Sequence, residues 1–146
     1  MSLESLHADV EAVLDLLGLC VVADREERDA ELVEFCNSAQ LVARHIAPEI
    51  VYSRRDLRRW YADNRVRLLS VCMDCTETDA LITRITDPDV RDLTLSALFA
   101  ISVCDYHLAD EESALIGRVL ELWGPGQSDV PLAEVPPQGD LLAALD

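Results

Sequence analysis

Apolar residues recur at intervals of three and four positions along most of the chain, the spacing that lines one face of an α-helix. The pattern predicts helices over about 3–22, 29–47, 53–72, 76–85, 88–106 and 110–123. Half of the residues are hydrophobic and few are aromatic, a mixture that suits helix packing better than β-sheets. The sequence therefore predicts an all-α protein, folded as a compact single-domain bundle of about six or seven helices.

Polar and special residues mark the ends of several predicted helices. Ser53 is expected to cap the third helix, and Asp87-Pro88 to start the fifth. Because the fifth helix is nearly continuously apolar, we expect it to be the central helix, covered on all sides.

The C-terminal region differs from the rest of the chain. Gly124-Pro125-Gly126 ends the last predicted helix, and three further prolines follow. We therefore expect a helical domain over residues 1–124 and a proline-containing tail over residues 125–146.

The formal charge of the chain is −16, and all 12 of its basic residues are arginine. Such a charge repels nucleic acid and anionic lipid, and it favours cations and basic partners. The N-terminal region lacks the features of a signal peptide, and no apolar stretch reaches the roughly 20 residues that span a bilayer. We expect a cytoplasmic protein with no nucleic-acid partner and no direct membrane insertion.

Five cysteines stand among apolar neighbours at helical spacing and are expected to be reduced and mostly buried. Cys72 and Cys75 form a CxxC pair. A zinc site would need two further ligands, and a thioredoxin-like motif would need a βαβ unit. Packing is the favoured interpretation of this pair, and a thiol sensor is the alternative.

The sequence shows no catalytic apparatus. There is no glycine-rich phosphate loop and no nucleophile elbow followed by acid and histidine partners. Paired carboxylates without a pocket do not define an active site. We therefore predict a binding or regulatory protein, not an enzyme.

An internal repeat relates the two ends of the predicted domain. A shift of 81 residues pairs Asp24 with Asp105 and Glu31 with Glu112, and it aligns the apolar helices on either side. Both halves read apolar helix, Asp, four residues, Asp, one residue, Glu, apolar helix. Two copies of this unit predict a pseudo-twofold helical domain.

The segments Val-Ala-Asp24-Arg-Glu-Glu-Arg-Asp-Ala-Glu31 and Val-Cys-Asp105-Tyr-His-Leu-Ala-Asp-Glu-Glu112 resemble the paired acidic loops of the TerB-like family. That family includes the tellurite-resistance protein TerB and the N-terminal region of the co-chaperone DjlA. The resemblance implies a bundle of roughly seven helices that serves tellurite resistance or another stress response by recruiting partners. It also implies that Asp24, Glu31, Asp105 and Glu112 bind a divalent cation, Ca²⁺ or Mg²⁺.

Three further residues of the two loops are candidate ligands: Asp29, Asp110 and His107. The alternative role of the acidic residues is structural. An aspartate can cap a helix, and a glutamate in the first turn complements the helix dipole.

Residues 54–67, which we call the arginine helix, hold six arginines and two aspartates, a charge of +4 against −20 for the rest of the chain. Four of the arginines share one side beside three aromatic residues, an arrangement able to grip a phosphate or a carboxylate-rich partner. The arginines are Arg54, Arg55, Arg58 and Arg59, and the aromatics are Tyr52, Trp60 and Tyr61. Neutralisation of the protein's own acidic helices is the other interpretation. The alternative function is a metal-independent scaffold or homodimer that acts through this helix.

Overall fold

The computed structural model describes residues 7–23, 29–104 and 110–124. These ranges contain six α-helices and no strand, which confirms the prediction of an all-α protein. In chain order the helices are α1 (Ala8–Ala23), α2 (Asp29–Ile46), α3 (Arg54–Cys72), α4 (Cys75–Arg84), α5 (Pro88–Val103) and α6 (Asp110–Trp123). The start of the first predicted helix and the predicted tail over 125–146 lie outside the described residues.

Short polar side chains set the starts of three helices. The Ser53 hydroxyl accepts a hydrogen bond from the N–H of Asp56 at 3.0 Å, as predicted for α3. The Asp87 carboxylate accepts hydrogen bonds from the N–H groups of Asp89 and Val90 at the start of α5, and Pro88 occupies the first turn. Asp74 caps α4 in the same way, so this helix begins one residue earlier than predicted. Gly124 follows α6 with a φ of 75°, a conformation that glycine adopts without strain.

The central helix of the bundle is α1. It buries 13 of its 16 residues and packs against all five other helices. The prediction that α5 is central was wrong, because α5 leaves Leu93, Phe99 and Val103 between 36% and 49% exposed. Asp92 and Ser96 are also exposed, so one side of α5 faces solvent, whereas Thr94 and Ser102 are buried on its other side.

Close packing of α1 against α3 depends on Gly18. A Cβ atom at this position would lie 2.7 Å from Cδ1 of Leu68 and 3.4 Å from Cζ3 of Trp60. Leu68 is fully buried and has little room to move. The missing side chain therefore lets α3 approach the backbone of α1.

A buried carboxylate ties α1 to two neighbouring helices. The side chain of Asp15 is 3% exposed and forms salt bridges with Arg67 of α3 at 2.6 Å and Arg84 of α4 at 3.0 Å. The apolar surroundings of Asp15 disfavour its negative charge, and the salt bridges with the two arginines offset this cost. The sequence pattern did not predict this cluster.

The helices of the described ranges are between 10 and 19 residues long. None of those helices combines the length and the apolar character needed to cross a bilayer.

Candidate functional site

The two predicted acidic loops lead into α2 and α6. Each helix starts at the second aspartate of the repeat, Asp29 or Asp110, and both aspartates are exposed. Glu31 and Glu112 follow in the first turns, and both are 0% exposed. Glutamate is rarely buried so completely unless specific interactions stabilise it. The structure thus gives the repeated glutamates the same unusual environment.

The remaining predicted ligands lie outside the described residues. These are Asp24 of the first loop and Asp105 and His107 of the second. Within residues 7–23, 29–104 and 110–124, no three histidine, cysteine or acidic side chains converge to form a metal site. The four-carboxylate cation site therefore stays a prediction.

The predicted repeat makes α1 equivalent to α5 and α2 equivalent to α6. The pair α1 and α2 is packed more extensively than α5 and α6, and α2 and α5 more extensively than α1 and α6. The equivalent residues Leu17 and Leu98 are both 0% exposed. Val22 is fully buried, however, whereas its equivalent Val103 is half exposed. The two halves therefore differ in packing and in burial, and the pseudo-twofold arrangement stays a prediction.

The N-terminal part of the arginine helix, at the start of α3, carries exposed arginines. Arg54, Arg55, Arg58 and Arg59 are all exposed. Arg54 donates a hydrogen bond to Oδ1 of Asn37 at 2.5 Å. Among the residues that the structure describes, the other three form no hydrogen bond or salt bridge. A guanidinium group without such a partner can form bidentate contacts with a carboxylate.

The aromatic residues of this region belong to the core. Tyr52, Trp60 and Tyr61 are at most 6% exposed, and the ring of Trp60 stacks on Phe35 with centroids 6.2 Å apart. The predicted grouping of these rings with the arginines was wrong. Trp60 and Tyr61 follow Leu57 at helical spacing, so they share its buried side of α3.

Neutralisation of the protein's own charge occurs at the other end of the arginine helix. Arg67 binds the buried Asp15, and its Nε and Nη2 atoms also donate to Oδ1 of Asn64. Neutralisation is therefore observed at Arg67, and partner binding by the four arginines at the start of α3 stays a prediction. Arg67, at the C-terminal end of the arginine helix, forms a salt bridge with Asp15 of α1, whereas the arginines at its N-terminal end are exposed.

The five cysteines all lie in described ranges, and none takes part in a disulfide. Cys20 and Cys36 are buried, Cys72 and Cys104 are partly buried, and Cys75 is exposed. Burial raises the pKa of the Cys36 thiol, although Arg58 and Arg54 act in the opposite direction. The expectation of mostly buried thiols therefore holds for Cys20 and Cys36 but not for Cys75.

A cavity of about 350 Å³ lies between α1, α3, α4 and α6, and sequence reasoning did not predict it. Its wall includes Cys72 and Cys75, which end α3 and start α4. Arg118 and Asp79 also line it and form a salt bridge at 2.6 Å. The hydrogen bond from Arg118 lowers the pKa of the Asp79 carboxyl. Only the CxxC spacing in the sequence pointed to this region.

Comparison with models of known protein families gives no match, and comparisons with curated proteins and with solved structures give no significant match either. The TerB-like resemblance therefore rests on the acidic segments of the sequence.

Proposed function

We propose that the protein is a non-enzymatic, TerB-like helical module that binds a divalent cation through its two acidic loops and recruits a partner in a stress response such as tellurite resistance. The observation that supports this proposal is the matched burial of Glu31 and Glu112, each 0% exposed. Both residues follow an acidic loop and open a helix of the predicted repeat.

The chemistry of the two segments favours a hard cation. Ca²⁺ and Mg²⁺ take oxygen ligands, and carboxylates are the strongest of these in proteins. Negative charges held near one another repel, and a bound cation relieves the repulsion. In this proposal, Glu31 and Glu112 complete a site whose other carboxylates are Asp24 and Asp105. Asp29, Asp110 and His107 are the further candidates.

Isothermal titration with CaCl₂ or MgCl₂ tests the cation site, with the melting temperature followed in parallel. We expect heat of binding and a rise in melting temperature for the native sequence. Glu112→Gln should lower the affinity by at least about tenfold, because it removes one charged ligand. Glu111→Gln is the matched control, since the carboxylate of Glu111 is adjacent in sequence but exposed.

Asp105→Asn tests the second predicted loop and should also lower the affinity. Circular dichroism of each variant separates lost binding from lost fold. The absence of heat and of any melting shift with both cations would contradict the proposal. Equal affinity of Glu112→Gln and Glu111→Gln would also contradict it.

A second function is favoured by the exposed arginines. Arg55, Arg58 and Arg59 protrude from α3 with no salt bridge to the described residues, on a chain whose remaining charge is strongly negative. We propose that this surface binds carboxylate-rich protein, either a partner or a second copy of the chain. Such binding needs no metal and agrees with the planar, bidentate geometry of arginine.

Charge reversal tests the arginine surface. Arg55→Glu combined with Arg58→Glu should abolish self-association in sedimentation experiments, or binding to a polyglutamate peptide, while circular dichroism stays unchanged. Arg44→Glu, at an exposed position of α2, should leave both unchanged. Added salt should weaken the interaction of the native protein. Association that survives the double variant, or a protein that neither self-associates nor binds the peptide, would refute this function.

A further inference from the structure

The cavity between α1, α3, α4 and α6 combines an apolar wall with two thiols. Leu19 and Leu115 are buried residues of its wall, and Ala114 adds a small side chain from α6. Cys72 is partly buried, whereas Cys75 is exposed. A nucleophile that solvent can reach therefore lies at the edge of an apolar surface.

The residues around the two thiols favour a small-molecule site over a metal site. The cavity contains two cysteines, but no group of three ligands that could hold a metal occurs among the described residues. Asp79, the acidic neighbour on α4, is already bound by Arg118. The cavity volume of about 350 Å³ falls within the range of small-molecule sites, which are mostly apolar with few polar groups.

We propose that this cavity binds an apolar small molecule that carries an electrophilic carbon–carbon double bond, and that Cys75 is the residue that attacks it. The apolar part of the ligand lies against Leu19, Ala114 and Leu115. The Sγ atom of Cys75 forms a bond to the β-carbon, and the π bond of the ligand breaks. The thiol proton is transferred through water to the α-carbon, so the addition needs no oxidant and releases no leaving group.

The exposure of Cys75 decides which thiol reacts. Reactivity of a cysteine requires access as well as deprotonation. Cys72 is partly covered at the end of α3, and we assign it to the wall of the cavity. This activity is independent of the cation site and of the arginine surface, so its failure would leave both other proposals unchanged.

Two maleimides that differ only in their apolar group test the inference. N-phenylmaleimide and N-methylmaleimide carry the same double bond, and intact mass with peptide mapping gives the rate of addition at each cysteine. The ratio of the two rates at Cys75 should exceed the same ratio for glutathione by at least about tenfold, because the phenyl ring is removed from water. Unreactive N-phenylsuccinimide should slow the addition by competition.

Charged substitutions in α6 locate the binding surface. Ala114→Glu places a charge in the cavity wall and should reduce the rate ratio to that of glutathione. Ser113→Glu adds the same charge at an exposed neighbour that does not line the cavity, and it should leave the ratio unchanged. A native ratio equal to that of glutathione would refute binding. Preferential addition to Cys72, or equal ratios in both variants, would refute the assignment.

Discussion

Arg67 of α3 donates a hydrogen bond from Nη2 to Oδ1 of Asp15 in α1, across 2.6 Å. The carboxylate is nearly inaccessible, whereas the arginine is 43% exposed. Arg84 of α4 binds the other oxygen of the same carboxylate. One acidic group thus fixes the orientation of three helices, and the arginines stay hydrated while they neutralise it.

Asp15→Asn should lower the free energy of unfolding by about 2 kcal/mol, because asparagine lacks the buried negative charge and offers one acceptor oxygen where two arginines need one each. The exposure of both arginines limits the loss, since they can regain water. Urea unfolding monitored by circular dichroism measures it. Asp63→Asn, at an exposed position of α3, should change the value by less than about 0.5 kcal/mol. Equal effects of the two variants would contradict the role of Asp15.

Gly18→Ala should destabilise the protein by about 1 kcal/mol, because the overpacking against Leu68 outweighs the gain in helix propensity. Gly117→Ala is the matched control within another helix. A Cβ atom at Gly117 meets nothing within 4 Å, so this substitution should stabilise by about 0.5 to 1 kcal/mol. Thermal melting of the two variants provides the comparison, and a gain in stability for Gly18→Ala would disprove the close approach.

Asp79 should titrate below the ordinary range of an aspartate, because the hydrogen bond from Arg118 lowers its pKa in the folded state. A lowered folded-state pKa contributes stability above the pKa of the unfolded chain, and the contribution disappears as the pH falls through the folded-state value. The stability difference between the native protein and Asp79→Asn should therefore be larger at pH 6 than at pH 2. Carbon-detected NMR titration of the carboxyl checks the direction, and an unshifted or raised pKa would contradict it.

Local signals in the sequence predicted the helices well. Ser53, Asp87 and Gly124 lie at the helix ends that their chemistry favours. The side chains of Ser53 and Asp87 accept hydrogen bonds from free backbone N–H groups, and Gly124 adopts a positive φ that other residues adopt only with strain. Asp74 carries the same capping signal, and its role as the N-cap starts α4 at Cys75, one residue before the predicted start.

The identity of the central helix could not be obtained from the apolar pattern alone. Both α1 and α5 are rich in apolar residues, and only the packing of the other helices decides which one is enclosed. Asp15 illustrates the difficulty, because a charged residue of a helix ordinarily lies on its exposed side. The arginines that neutralise it come from positions 52 and 69 residues away, which no local pattern relates to it.

The candidate site was predictable in part. Glu31 precedes Phe35 and Val42 at helical spacing, and Glu112 precedes Ile116 and the later core residues of α6 in the same way. Each glutamate thus heads an apolar stripe, which is a signal of burial. The thiol-lined cavity had no comparable signal, because its wall is assembled from four helices.

The enclosure of α1 has a consequence for folding during synthesis of the chain. This helix leaves the ribosome before its five neighbours, and it exposes an apolar surface on every side until they follow. Because its covering helices extend to Trp123, the apolar surface of α1 stays partly uncovered, and prone to aggregation, until the chain has been synthesised as far as that residue. Slow elongation or loss of chaperone capacity should therefore reduce the yield of this protein more than that of a bundle whose first helix is amphipathic.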